Sequence, residues 1–184
     1  MAEKYSQTVN KFNPVLISLH WFMVFLIVAV YLCMELSDFF PKGSEARGLL
    51  KSLHFMFGLS VLMLVLVRVV VRLATTVPEI IPAPKPFEKM AAKIMHIALY
   101  VFMLCMPLVG WLILSSQGKS VPFFGFELPP LIGENKDLQD ILREIHEIGA
   151  TIGYVLLGGH AAAGLFHHYV KKDNTLLRLL FSKK

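Results

Sequence analysis

Three stretches of the chain run without a single Asp, Glu, Lys or Arg: Phe12–Met34, Ile94–Gly118 and Ile148–Val170, of 23, 25 and 23 residues. A fourth, Ser52–Val67, adds 16, and its hydrophobic pattern continues past Arg68 to Leu73. A bilayer core about 30 Å thick is crossed by about 20 apolar residues in an α-helix. The pattern therefore predicts four transmembrane helices, roughly 12–36, 47–73, 89–116 and 138–171, in a single all-α membrane domain over residues 1–184. The first run ends in Met34-Glu35-Leu36, exceeds the apolar core of a removable leader and lacks a small-x-small cleavage pattern. It is expected to remain as a helix.

Between the runs, Pro78, Pro82, Pro84 and Pro86 predict a short, stiff connection. The segment from Ser116 to about Asp137 carries Phe123, Phe124, Phe126, Pro129, Pro130, Leu131 and Ile132. So apolar a loop is expected to fold back onto the bundle or the membrane interface. Composition agrees with the pattern: 55% of residues are hydrophobic and 17% charged, where a soluble domain has roughly 45–50% and 25%. Most soluble classes are thereby excluded.

The net charge of +5 is unevenly placed. With four spans both termini share one side. That side holds twelve Lys and Arg: Lys4, Lys11, Arg68, Arg72, Lys85, Lys89, Lys93, Lys171, Lys172, Arg178, Lys183 and Lys184. The other side holds six, beside nine of the thirteen acids. Positive charge accumulates on cytoplasmic segments, so both termini are expected in the cytoplasm of a cell whose inner membrane holds the protein. The basic balance marks topology, and nothing in it calls for nucleic acid.

Every span contains a histidine. His20, His54 and His96 lie in or at the first three, and His146, His160, His167 and His168 in or at the fourth. Ionisable groups at membrane depth are costly, face the bundle interior and usually mark function. A lone one can also act as a hydrogen bond across helices. Counting from the edges of the charge-free runs places His54 and His146 at one depth. His20 and His160 share another, within ~3 Å, and His96 stands apart, ~12 Å from His160. His146 and His160 are fourteen residues apart, close to four turns, on one helix face and ~21 Å apart along the axis. Two stacked sites result, each with two imidazoles from facing helices, which is the axial ligation of a b-type haem. Zinc would require three or four protein ligands.

Cys33 and Cys105 are solitary, with no C-x-x-C-H for covalent haem attachment. Gly158, Gly159, Ala161, Ala162, Ala163 and Gly164 surround His160, Gly149 and Gly153 follow His146, and Gly58 follows His54. Small residues give a flat prosthetic group its room, and they equally allow close helix packing. Arg68, fourteen residues after His54, has two readings: a partner for a propionate of the inner haem, or a side chain reaching to the cytoplasmic surface.

On these residues the chain resembles the bacterial cytochrome b561 family. The similarity is strongest over His160–Leu177 (HAAAGLFHHYVKKDNTLL), with SLHW at Ser18–Trp21 and an E-x-H-E segment at Glu144–Glu147 in support. The resemblance implies two b haems on His20, His54, His146 and His160. It points to the subgroup that oxidises superoxide and reduces ubiquinone. In those relatives the quinone lies near the inner haem, bordered by the histidine that corresponds to His167. The broader group includes the cytochrome b subunits of formate dehydrogenases and hydrogenases, so the alternative is an electron-transfer subunit linking a partner protein donor to the quinone pool.

On that footing His96, His167 and His168 are candidates for a titratable quinone site, or interfacial histidines touching head groups. Lys51 and Arg143, each one turn before an outer histidine, are candidates for guiding the superoxide anion, with Arg47 and Lys119 weaker ones. All four are also compatible with ordinary solvated charge. A haem or metal transporter fits poorly, since fixed paired ligands at two depths hold their cargo.

Overall fold

The structure, a computed structural model, describes residues 10–181. Lys4, Lys183 and Lys184, which enter the charge asymmetry, lie outside the described residues. Four helices carry the fold: α1 (Pro14–Ser37), α2 (Glu45–Leu73), α3 (Pro86–Ser115) and α4 (Lys136–Phe166). All four are long and apolar enough to cross a membrane.

Each start has a local chemical cause. Asn13 caps α1, its Oδ1 accepting from Val15 N at 2.9 Å, and Pro14 presets the first turn. Ser44 caps α2 through Arg47 N, and Asn135 caps α4 through Leu138 N at 3.0 Å. At α3, Pro86 opens the helix while the Glu88 carboxylate turns back to accept from Lys85 N at 3.1 Å. The last three helices begin two or three residues before the starts expected at 47, 89 and 138.

The packing inverts that of a soluble protein. Phe25 is 64% exposed and Val155 72%, both in the middle of a helix, while few side chains are buried at all. Lipid tails cover such a surface, so the helices associate by close van der Waals fit and a few hydrogen bonds. α1 packs along α2, α2 along α3 and α3 along α4, whereas α4 reaches α1 through long side chains. Tyr31 Oη donates to the Ala150 carbonyl at 2.8 Å, and Tyr154 Oη donates to Glu35 Oε1 at 2.7 Å. The two rings stand 4.4 Å apart. Gly153 makes this approach possible, because a Cβ there would run into Tyr31 Oη and the Phe102 ring.

The loop after α3 folds back, as its composition predicts. It forms a two-stranded antiparallel hairpin, β1 (Val121–Phe123) and β2 (Phe126–Leu128), with Val121 opposite Leu128 and Phe123 opposite Phe126. Phe124 and Gly125 turn the corner at φ +45° and +88°, the signs a tight two-residue hairpin needs. Val121 buries itself between Leu59 of α2 and Leu114 of α3, with Phe55, Leu62, Trp111, Phe123 and Leu128 around them. Trp111 Nε1 donates to the Pro129 carbonyl at 3.1 Å.

At the opposite end, where α1 begins and α4 ends, the chain after α4 ties three segments together. Beyond a π-helical turn (His167–Lys171), Asn174 accepts from Ile81 N at 2.8 Å and donates to the Glu79 carbonyl at 3.2 Å. Arg178, only 5% exposed, donates to the Pro78 carbonyl and lies 5.3 Å over the Phe12 ring. Phe12 N donates to the Arg178 carbonyl at 3.1 Å, and Trp21 Nε1 to the Leu179 carbonyl at 2.9 Å.

Overpacking the α1–α4 contact tests this arrangement. Gly153→Ala is expected to destabilise the bundle by about 1–3 kcal/mol, read as a lowered thermal midpoint in detergent. Gly48→Ala, whose Cβ would meet nothing within 4 Å, is expected to leave the midpoint unchanged or raise it.

Candidate functional site

Two pairs of imidazoles face one another across the bundle. His54 of α2 and His146 of α4 have ring centroids 6.1 Å apart at an interplanar angle of 78°. His20 of α1 and His160 of α4 stand 6.3 Å apart at 72°. Their levels differ, because His54 Nδ1 lies 3.0 Å from the Val30 carbonyl, ten residues further along α1 than His20. That offset is about 15 Å on α1 and about 21 Å between His146 and His160 on α4.

The side-chain chemistry suits metal binding through Nε2. A carbonyl can only accept, so His54 Nδ1 carries the proton it donates to Val30, and Nε2 is left with its lone pair. His146 Nδ1 is buried toward the Met106 carbonyl without a hydrogen bond of normal geometry. Its ring lies against α3, where a Cβ at Gly110 would stand 3.4 Å from Cε1. A metal–imidazole bond is about 2 Å and a centroid lies roughly 1.1 Å from its nitrogen, so two imidazoles sharing one metal hold their centroids about 6.3 Å apart. Both observed spacings fit a single ion between the rings. Among the described residues no three His, Cys, Asp or Glu side chains converge as ligands.

Residues 11–182 match the family model of prokaryotic cytochrome b561. The chain belongs to the prokaryotic cytochrome b561 family. It is 39% identical to cytochrome b561 homolog 1 of Escherichia coli (strain K12), over 95% of this chain and 99% of that protein. It is 34% identical to the probable superoxide oxidase CybB of Yersinia pestis, over 95% and 98%. To cytochrome b562 of Cereibacter sphaeroides it is 30% identical, over 89% and 91%. Members of the cytochrome b561 family are membrane-spanning helical bundles that bind b-type haem and transfer electrons.

Other candidates fall where the sequence pattern does not put them. His96 is expected about two turns from the level of His160, yet the two rings lie 5.5 Å apart. The cause lies in α3, which begins at Pro86, eight residues before its charge-free run. Lysines such as Lys89 and Lys93 can reach an interface on long stems, so the edge of that run is no marker of depth. His96 is thus a neighbour of the His20–His160 pair. His167 Nδ1 meets Asp173 Oδ2 at 2.5 Å, and His168 stands edge-on to Tyr169 at 4.8 Å.

Arg68 is half-buried, and its guanidinium turns toward the start of α1. Its Nη1 donates to the Leu16 carbonyl at 2.9 Å, one turn from His20, within electrostatic reach of His20, His96 and His160. At the other end Arg47 is engaged by Asp38 at 2.7 Å and by the Phe40 carbonyl, tying the α1–α2 turn. Arg143 is exposed and 3.7 Å from Glu147, a loose pair, while Lys51 is half-buried and Lys119 exposed. The glycines divide by role. Gly149 and Gly153 pack against Met106, Tyr31 and Phe102, whereas Gly58, Gly158 and Gly164 face open space.

Two residues of this end, Asp173 and Arg178, are buried although they follow the last apolar run, where charged side chains are expected to be solvated. Burial opposes ionisation of Asp173, yet bonds from His167 and Thr175 more than compensate and hold its carboxyl below the usual aspartate range. Burial lowers Arg178, opposed by the nearby Asp173 carboxylate. A carboxyl whose folded value is depressed stabilises the fold above its ordinary value of about 4, and that contribution is lost as pH falls through the folded value. Acidification from neutrality to below that range is therefore expected to raise amide hydrogen exchange across residues 173–180 before the helices respond. Asp173→Asn is expected to show the raised exchange already at neutral pH.

Proposed function

We propose that this protein is a di-haem oxidoreductase of the bacterial inner membrane that oxidises superoxide at the periplasmic side and reduces ubiquinone at the cytoplasmic side. The observation that carries the di-haem reading is the pair of imidazole couples, at two levels, each spaced for one iron. A haem held by His20 and His160, and another by His54 and His146, would supply one-electron transfer between the two ends of the bundle. Two imidazoles on each iron leave no open position for oxygen. The protein's own task is then to hold the ligands, set their tautomers and bring substrates to the edges.

The His54–Val30 bond performs the second of these tasks at the far end. At the end where α1 begins, Arg68, which donates to the Leu16 carbonyl one turn from His20, would pair with a propionate of the inner haem. The charge asymmetry of the loops supports an orientation with both termini in the cytoplasm. His96, His167 and His168 lie toward that side, and we assign the quinone site among them. The superoxide reading draws on the relative named a probable superoxide oxidase and on Lys51 and Arg143, each three residues before a histidine of the far pair. An anion arriving there gains from positive charge at close range.

The test uses the purified full-length protein in detergent with a superoxide generator and a short-chain ubiquinone. Ubiquinol formation that superoxide dismutase abolishes supports the proposal. A protein that stays inert until a co-purifying dehydrogenase or hydrogenase is added would instead be an electron-transfer subunit. Haem content separates the ligands: His54→Ala and His20→Ala are each expected to lower the ratio from two haems per chain to one. Replacing Lys51 and Arg143 together by Glu is expected to slow superoxide oxidation about 10-fold at low salt, with the deficit shrinking as salt screens the field. A salt-independent loss would count against guidance by charge.

A further inference from the structure

α4 does not end as an α-helix. From His167 to Lys171 its backbone widens into a π-turn, Lys172 takes the left-handed conformation at φ +55°, and the chain reverses. Single π-turns inside helices are rare and concentrate at functional positions. This reversal brings Asp173, six residues away in sequence, onto His167. Asp173 N donates to the His167 carbonyl at 3.2 Å, and Asp173 Oδ2 lies 2.5 Å from His167 Nδ1. The other carboxylate oxygen accepts from Thr175 N at 2.9 Å. Asp173 is 5% exposed, and the segment that carries it is fixed by Asn174 on Ile81 and Glu79 and by Arg178 on Pro78. Glu88, paired with Lys171, is the other acid near His167.

A buried carboxylate on one imidazole nitrogen selects a tautomer. It accepts the Nδ1 proton, orients the ring and stabilises the imidazolium that forms when the other nitrogen is protonated. Resting on the reduction of ubiquinone proposed above, we propose that Asp173 is a positioning residue for His167, fixing its Nδ1–H so that Nε2 is the atom that passes protons to the quinone. Two superoxide anions lose one electron each and become two molecules of oxygen. The quinone takes those two electrons and two protons to become the quinol. Each proton leaves His167 Nε2 for a quinone oxygen, and Nε2 is reprotonated from water at that end of the bundle. The Nδ1 proton stays in place throughout, held by the carboxylate.

The experiment compares the haem-loaded wild type with Asp173→Asn, Asp173→Glu and Asn174→Ala. Nitrogen-15 spectra of the dithionite-reduced protein report the His167 tautomer independently of turnover. Wild type is expected to show Nδ1 protonated, and Asp173→Asn a mixture of tautomers. With ubiquinone-1 as acceptor, Asp173→Asn is expected to lower kcat about 10-fold, a fraction of what general acid catalysis contributes. Its KM stays within twofold of wild type, its haem spectrum is unchanged, and Asp173→Glu recovers most of the loss. Asn174→Ala loosens the same segment but keeps the carboxylate, so its loss of kcat is expected to be well below that of Asp173→Asn. Three results overturn the inference: a wild-type His167 protonated at Nε2 alone, an unchanged kcat in Asp173→Asn, or an equal loss in Asn174→Ala. A wild type with the expected tautomer that does not reduce quinone at all overturns the proposed function and, with it, the proton-passing role.

Discussion

Placing an imidazole inside a membrane is the constraint on which the rest of this molecule depends. Lipid offers no hydrogen bonds, so each ring nitrogen has to be met by a group of the protein or by something the protein binds. At the far pair both needs are visible: Nδ1 of His54 is met by the Val30 carbonyl, and Nε2 is left for a ligand. His146 repeats the arrangement less completely, with a buried Nδ1 near Met106. Much else in the bundle follows from this. α4 keeps its backbone away from α1 and α2, and the Tyr31 and Tyr154 side chains bridge the space that the facing histidines require.

The four helices and the pairing of the histidines were legible in the residue pattern because they rest on two strong periodicities. Charge-free length reports membrane crossing directly, and a fourteen-residue spacing reports a shared face on one helix. The far end was also readable in kind: a loop with three Phe and two Pro has no stable place in water, and the hairpin packs it on Leu59 and Leu114. Its strand register was not, because three-residue strands leave no alternation to read.

His96 shows where the reasoning stops. Depth counted from a charge-free run assumes that lysines stand at the interface with their Cα atoms. Lys89 and Lys93 occupy the first two turns of α3, and their stems make up the difference. The count put His96 about two turns from the His160 ring, which lies 5.5 Å from it. Asp173 was invisible for another reason. A residue six positions from His167 faces away from it on any α-helix, and only the π-turn with a left-handed Lys172 brings the two together. No propensity scale anticipates that reversal, since neither residue favours it by itself.

The two ends of the bundle differ in how they use charge, and the difference follows from what each would have to handle. At the far end the cations lie near their own sequence: Arg47 ties a turn, Arg143 leans on Glu147, and among the described residues no acid of that end is buried. A substrate that gives up a single electron and leaves as a neutral gas needs attraction and little else. At the terminal end the polar groups are drawn from segments far apart in sequence, with Asp173 and Arg178 buried and His167 held between the helix and the returning chain. Burying ions is expensive unless they are fully bonded, so a bundle seeking only stability would have apolar side chains there. A two-proton acceptor changes that balance, because protons move through bonded, oriented groups. On the proposed function, the terminal end is polar because its chemistry includes protons, and the far end stays simple because its chemistry does not.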